Sequence, residues 1–197
     1  MKKTILLAVL LAGISAAPAQ QNVSREDCLK AAFAVSLDLK QMLNTPIPTD
    51  PDVKRPVIVR AGDQGGMVLP ESKLSLEALA KAGKDVLPIG QLWLRKVTLV
   101  CAGQPAREDQ LQLVTVGGAE QAKVALCALG ARRDAAGKLE LLVYGKGKEP
   151  LLRAPLRDIS TQQENPIEMS GEPQGEGSLV RLKILGKYEA SFTVVQN

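Results

Sequence analysis

Two apolar rhythms divide this chain. From Ser24 to Leu43 apolar residues recur at helical spacing: Cys28, Ala32, Val35, Leu39 and Met42 form one stripe, and Leu29, Phe33 and Leu37 widen it. Lys30, Asp38 and Gln41 take the other side. Ser24 stands where an N-cap is needed, Asp27 is the third helical residue, and Glu26 suits the positive end of the helix dipole. The prolines of NTPIPTDPDVKRP (residues 44–56) end that helix, and the segment reads as a linker.

Beyond it the rhythm changes to short runs of Val, Ile and Leu, broken by Gly, Pro and Asp, among them PVIVRAG, KVALCALG, KLELLVYG and SLVRLKILG. This spacing of turn signals predicts a mainly β chain: a β-sandwich, immunoglobulin-like or a related open barrel, preceded by an N-terminal amphipathic helix. One helical interruption, SLEALAKAG, has Ser75 to cap it and Gly83 to stop it. AGDQGGM, at Gly62, Gly65 and Gly66, reads as a hairpin turn: it lacks the lysine and hydroxyl residue of a phosphate loop and opens no helix.

Strand periodicity fixes a register at the C-terminus. Val180, Leu182 and Ile184 alternate with Arg181 and Lys183, and Tyr188, Ala190, Phe192 and Val194 alternate with Glu189, Ser191 and Thr193. A two-residue turn would put the two apolar rows on opposite faces. Pairing Ile184 with Tyr188 aligns them, which requires a three-residue loop, Leu185 to Lys187, with local bulging. In GQLWLRKVTLV both faces are apolar apart from Arg95 and Lys96, so it reads as a central strand covered on both sides or bulged at those residues. SGEPQGEGS (170–178) reads as a flexible hairpin loop.

The start of the chain changes the picture of compartment. Lys2 and Lys3, the apolar run from Ile5 to Ile14, and the small residues of Ala17-Pro18-Ala19 have the layout of a secretory signal peptide, with a mature N-terminus expected at Gln20. The alternative is an uncleaved anchor. Ile14 and Ser15 stand where a lipoprotein would need Cys. The expected organisation is a signal peptide over 1–19, helix and linker over 20–54, and the β-sandwich over 55–197, exported to the periplasm or cell exterior. The full chain carries 25 basic and 21 acidic residues. Without Lys2 and Lys3, 23 basic residues face 21 acidic ones, which gives nucleic acid little to hold. No later stretch reads as a transmembrane segment, and one Trp, two Tyr and two Phe do not supply the aromatic girdles of an outer-membrane barrel.

Candidate chemistry is sparse. In an oxidising compartment Cys101 and Cys127, inside two strand-like runs, are expected to form a structural disulfide, with two buried thiols as the alternative. Cys28 is left over, either buried as a small apolar group or used in an intermolecular bond that makes a homodimer. Three scattered Cys without His lack zinc-like spacing, and no cofactor is implied. The absence of His removes serine and cysteine triads. Glu108 with Asp109, and Asp50 with Asp52, lie in polar turns, and Ser72 beside Lys73 matches no catalytic spacing. Lys146, Lys148, Arg153 and Arg157 read as a solvated face or an anion or partner patch. Trp93 offers no sugar platform because its run argues for burial.

These observations favour a non-catalytic domain with a structural or interaction role and a protein partner in the cell envelope. A small apolar-ligand binding protein is the alternative. A His-free hydrolase comes third.

Overall fold

The computed structural model describes residues 21–39, 45–116 and 122–197. The expected signal peptide, its cleavage point before Gln20 and the last residues of the expected first helix, 40–43, lie outside them.

In chain order come strand β1 (Gln21–Asn22), helix α1 (Arg25–Leu39), strands β2 (Val57–Ala61) and β3 (Gln64–Pro70), and helix α2 (Leu76–Ala80). Strands β4 (Leu87–Arg95), β5 (Val97–Cys101), β6 (Gln104–Pro105), β7 (Gln112–Val116), β8 (Ala122–Arg133) and β9 (Leu139–Tyr144) follow. The last are β10 (Leu152–Pro155), β11 (Arg157–Asp158), β12 (Ile167–Gln174), β13 (Gly177–Ile184) and β14 (Tyr188–Gln196). They form two antiparallel sheets, one ordered β1-β2-β3-β4-β8-β9-β10 with β7 also on β8, the other β12-β13-β14-β5-β6 with β11 on β14. The sheets pack face to face, so the chain is mainly β and a β-sandwich, as the periodicity predicted.

One core lies between them, with Leu92, Cys127, Leu129 and Leu141 from the first sheet and Leu99, Leu182, Ile184 and Phe192 from the second. The outer face of the first sheet is buried as well. Met67, Leu69, Trp93 and Leu126 pack under Ala32 and Val35 of α1. Ala128, Leu142 and Tyr144 are met by Ile47 and Val86. Among the α1 residues whose burial is described, 25–35, the buried ones are Cys28, Ala32 and Val35, whereas Phe33, expected to widen the stripe, is 64% exposed. The helix begins as its sequence implies: the Asp27 N–H donates to Ser24 Oγ (3.2 Å), and the Ser24 hydroxyl donates to Asp27 Oδ2 (2.7 Å).

GQLWLRKVTLV is two strands, and its first half, in β4, is buried on both faces. Lys96 has φ 56°, and at that corner the chain leaves β4 in the first sheet for β5 in the second. Trp93 is buried, and its Nε1–H donates to Gln91 Oε1 (3.2 Å), whose Nε2 donates to Thr49 Oγ1 (2.8 Å). The segment read as a linker is therefore tied to the sheet over its described residues. Asp50 N–H donates to the Glu71 carboxylate and Asp52 N–H to the Pro70 carbonyl.

Ser75 caps α2 by accepting the Ala78 N–H. The helix ends at Ala80, three residues before Gly83: the Lys81 N–H donates to the Glu77 and Leu79 carbonyls, and the Arg133 guanidinium donates to those of Ala80 and Ala82. The C-terminal hairpin pairs Ile184 with Tyr188, the register derived from alternation. Leu185 and Gly186 take φ 53° and 66°, and Lys187 N–H donates to the Ile184 carbonyl, a type I′ turn with Lys187 as the extra residue. The loop expected over 170–178 is shorter than its composition suggests. Gln174 pairs with Gly177, leaving Gly175 (φ 58°) and Glu176 as the turn. The β12–β13 ladder carries its register to the end, and backbone pairing outweighs the low strand propensity of that stretch.

Candidate functional site

The three cysteines are free thiols in the structure. Cys127 on β8 and Cys101 on β5 both point into the core between the sheets, from opposite layers. Burial, with a further contribution from the neighbouring Cys101, pushes the Cys127 thiol up to about 12. Burial also raises Cys101, so neither is poised as a thiolate nucleophile. Cys28 is buried under the start of α1 and donates to the Val23 carbonyl (3.6 Å). Its pKa is raised by burial and by Asp27, against a hydrogen bond from the Ile58 backbone.

The other candidates are placed apart. Lys146 and Lys148 are exposed in the loop after β9, and Arg153 lies on β10, already engaged by Glu140 (3.2 Å) and Glu149 (3.8 Å). Arg157 sits on β11, in the other sheet. Glu108 pairs with Lys123, and Asp109 with Arg107 (3.1 Å), an exposed contact that holds the Asp109 carboxyl below its ordinary range. Asp50 accepts the Ser72 hydroxyl (2.6 Å), while Asp52 accepts Arg55 Nε (2.6 Å). Burial would raise Asp52, but Arg55, the Lys54 N–H and their charges outweigh it and lower its pKa. The acids are thus spent on local structure rather than aimed at a shared point. Among the described residues no group of three or more Cys, Asp or Glu could hold a metal ion, and no helix is long and apolar enough to cross a membrane.

What the sequence did not reveal is a cleft of about 450 Å³ where the two sheets meet at their edges. Its walls come from the first turn of α1, the segment entering β2, the edge strand β12 and its neighbour β13. Cys28, Pro56, Val57, Ile58 and Met169 supply apolar surface, while Asn165, Glu168 and Ser170 supply polar groups. Four cations line it: Arg25, Lys54, Arg55 and Lys183. Arg55 is bonded to Asp52. Arg25, Lys54 and Lys183 have no ion pair among the described residues. Glu168 stands opposite Lys183 in the β12–β13 ladder, yet its Oε1 accepts the Glu164 N–H (3.0 Å). Only the adjacent Lys54 and Arg55 were legible as a basic pair in the sequence; nothing local links them to Lys183.

A second space, between the sheet interiors near Gly66, Leu94, Met169 and Val180, measures about 100 Å³. No family model, no curated protein and no solved structure matches this chain.

Proposed function

We propose that this chain is an exported, non-catalytic domain of the periplasm or cell surface that binds a partner of the cell envelope at the cleft between β2 and β12. The observation that carries this reading is the cleft itself: helix start, linker and both sheet edges converge on a concave surface of ligand-site size. Three of its four cations, Arg25, Lys54 and Lys183, have no ion pair among the described residues, whereas Asp50, Asp52, Glu108 and Asp109 are tied into turns and ion pairs. The space between the sheets near Gly66 and Val180, about 100 Å³, is small beside ligand pockets of roughly 300 Å³ or more, which favours this over an apolar ligand held between the sheets.

The test is site-specific photocrosslinking of the full chain in its own cells. A photoreactive residue at Ser170, on the cleft wall, is expected to yield a discrete protein adduct in the exported fraction. The same residue at Ala135, in the turn between β8 and β9, should not. Identical adduct patterns from both positions, or none from Ser170, would remove the cleft as the contact surface.

A further inference from the structure

Resting on that reading, the geometry points to a binding site for a compact oxyanion group in the cleft, a phosphate or a cluster of carboxylates carrying two or more charges. The argument starts from charge. Arg25, Lys54, Arg55 and Lys183 reach one cleft from three separate segments, and among the described residues the only carboxylate in its lining is Glu168. That carboxylate is bonded to the Glu164 backbone, and Asp52, which bears on Lys54 as well as Arg55, is already bonded to Arg55. Neutralisation from within the described protein is therefore incomplete, and like charges held in one concavity repel unless an anion enters.

Donor geometry agrees. Arg25 and Arg55 present planar guanidinium groups suited to paired oxygen atoms, while Lys54 and Lys183 act as point charges. Asn165 and Ser170 add neutral side chains able to donate hydrogen bonds. The apolar surface around Val57 and Met169 leaves room for a short carbon body behind the charged group.

An oxyanion here would bridge α1, the segment before β2 and strand β13, linking the helix and first sheet to the second sheet. Binding should raise thermal stability as well as occupy the site.

Titration calorimetry of the full chain at low ionic strength tests this with two probes, inorganic pyrophosphate and citrate. At least one is expected to bind saturably at one site and to raise the melting temperature, with affinity falling as salt is added. The triple variant Arg25→Gln, Lys54→Gln, Lys183→Gln should lose affinity at least tenfold while still unfolding cooperatively. The corresponding change at Lys146 and Lys148 should leave affinity unaltered. Preference for pyrophosphate identifies phosphate as the group recognised, and preference for citrate identifies clustered carboxylates.

Failure of both probes to bind saturably, or equal binding by the triple variant, overturns the proposal. Should the triple variant fail to fold, Lys183→Gln alone, on the folded β13–β14 hairpin, must still weaken binding. A Ser170 adduct that persists without anion binding would leave the partner site standing and reject only its chemistry.

Discussion

The two sheets use the same backbone ladder and treat water differently. In the second, burial alternates along β13 and β14: Val180, Leu182, Ile184, Ala190, Phe192 and Val194 are buried, and the residues between them are partly exposed. In the first, every residue from Ile89 to Leu94 on β4 and from Val124 to Ala131 on β8 is buried. The difference is what lies outside. The second sheet meets solvent on one face, whereas α1, Ile47 and Val86 cover the outer face of the first. An antiparallel sheet buried on both faces loses the alternation that normally announces it. Its strands then resemble the uniform apolar runs of a parallel sheet.

The hardest test of this contrast is to cut a cavity on each side of the first sheet. Leu142→Ala, on its outer face, should cost about 2–5 kcal/mol, as much as Leu182→Ala in the core between the sheets. Thr193→Ala, on the outer face of the second sheet, should stay within about 0.5 kcal/mol of the parent. Urea denaturation reads all three. If Leu142→Ala unfolded like the parent, the outer layer would be ornamental and the comparison would collapse.

The cysteines sharpen it next, because Cys101 and Cys127 face each other across the layers. We propose that a thiol oxidant carrying its own disulfide joins them during folding of the exported chain, before the closing sheets bury and protonate both thiols: Cys101 attacks the donor disulfide and releases one donor thiol, and Cys127 then attacks the mixed disulfide at Cys101 and releases the other. Such a bond should stabilise by about 3.5 kcal/mol in the chain-entropy model, lost on reduction or in the double alanine variant. Peptide mapping without reductant that finds both thiols free in the exported protein would dispose of it.

The reduced form makes a separate prediction about pH. Unfolded Cys127 ionises near 9, but the folded thiol stays protonated up to about 12. The unfolded state then binds fewer protons, so stability should fall between those values by up to about 1.4 kcal/mol per pH unit. Cys127→Ala should remove that contribution to the slope.

A smaller effect probes the cover itself. Ser24→Ala deprives the Asp27 N–H of its acceptor and should cost about 1 kcal/mol. Unchanged stability would mean that packing against Trp93 holds α1 without help from its cap.

What could be read beforehand follows the same divide. The Ile184–Tyr188 register came from alternation alone, because only one face of that hairpin is dry. The caps at Ser24 and Ser75 were legible because capping is local chemistry, a side-chain oxygen and a nearby N–H. Burial of Trp93 was legible from its apolar run, but its hydrogen bond through Gln91 to Thr49 was not. That chain of contacts depends on a segment that composition alone marks as a linker. The stop of α2 was misplaced on Gly83 for a similar reason: the helix already ends at Ala80, whose carbonyl accepts from Arg133, a residue on β8.

The cleft is the extreme case. Arg25, Lys54 and Lys183 are unremarkable polar residues in their own segments, and their only significance is to share one concavity. Amino-acid order determined the class of fold, the caps, the turns and the register of the solvent-facing hairpin, since each depends on neighbours a few bonds away. The corner at Lys96 that moves the chain between sheets, the second buried face and the meeting of four cations were decided only by tertiary packing. There, hydrophobic burial brings distant segments together, and charges travel with the strands that carry them.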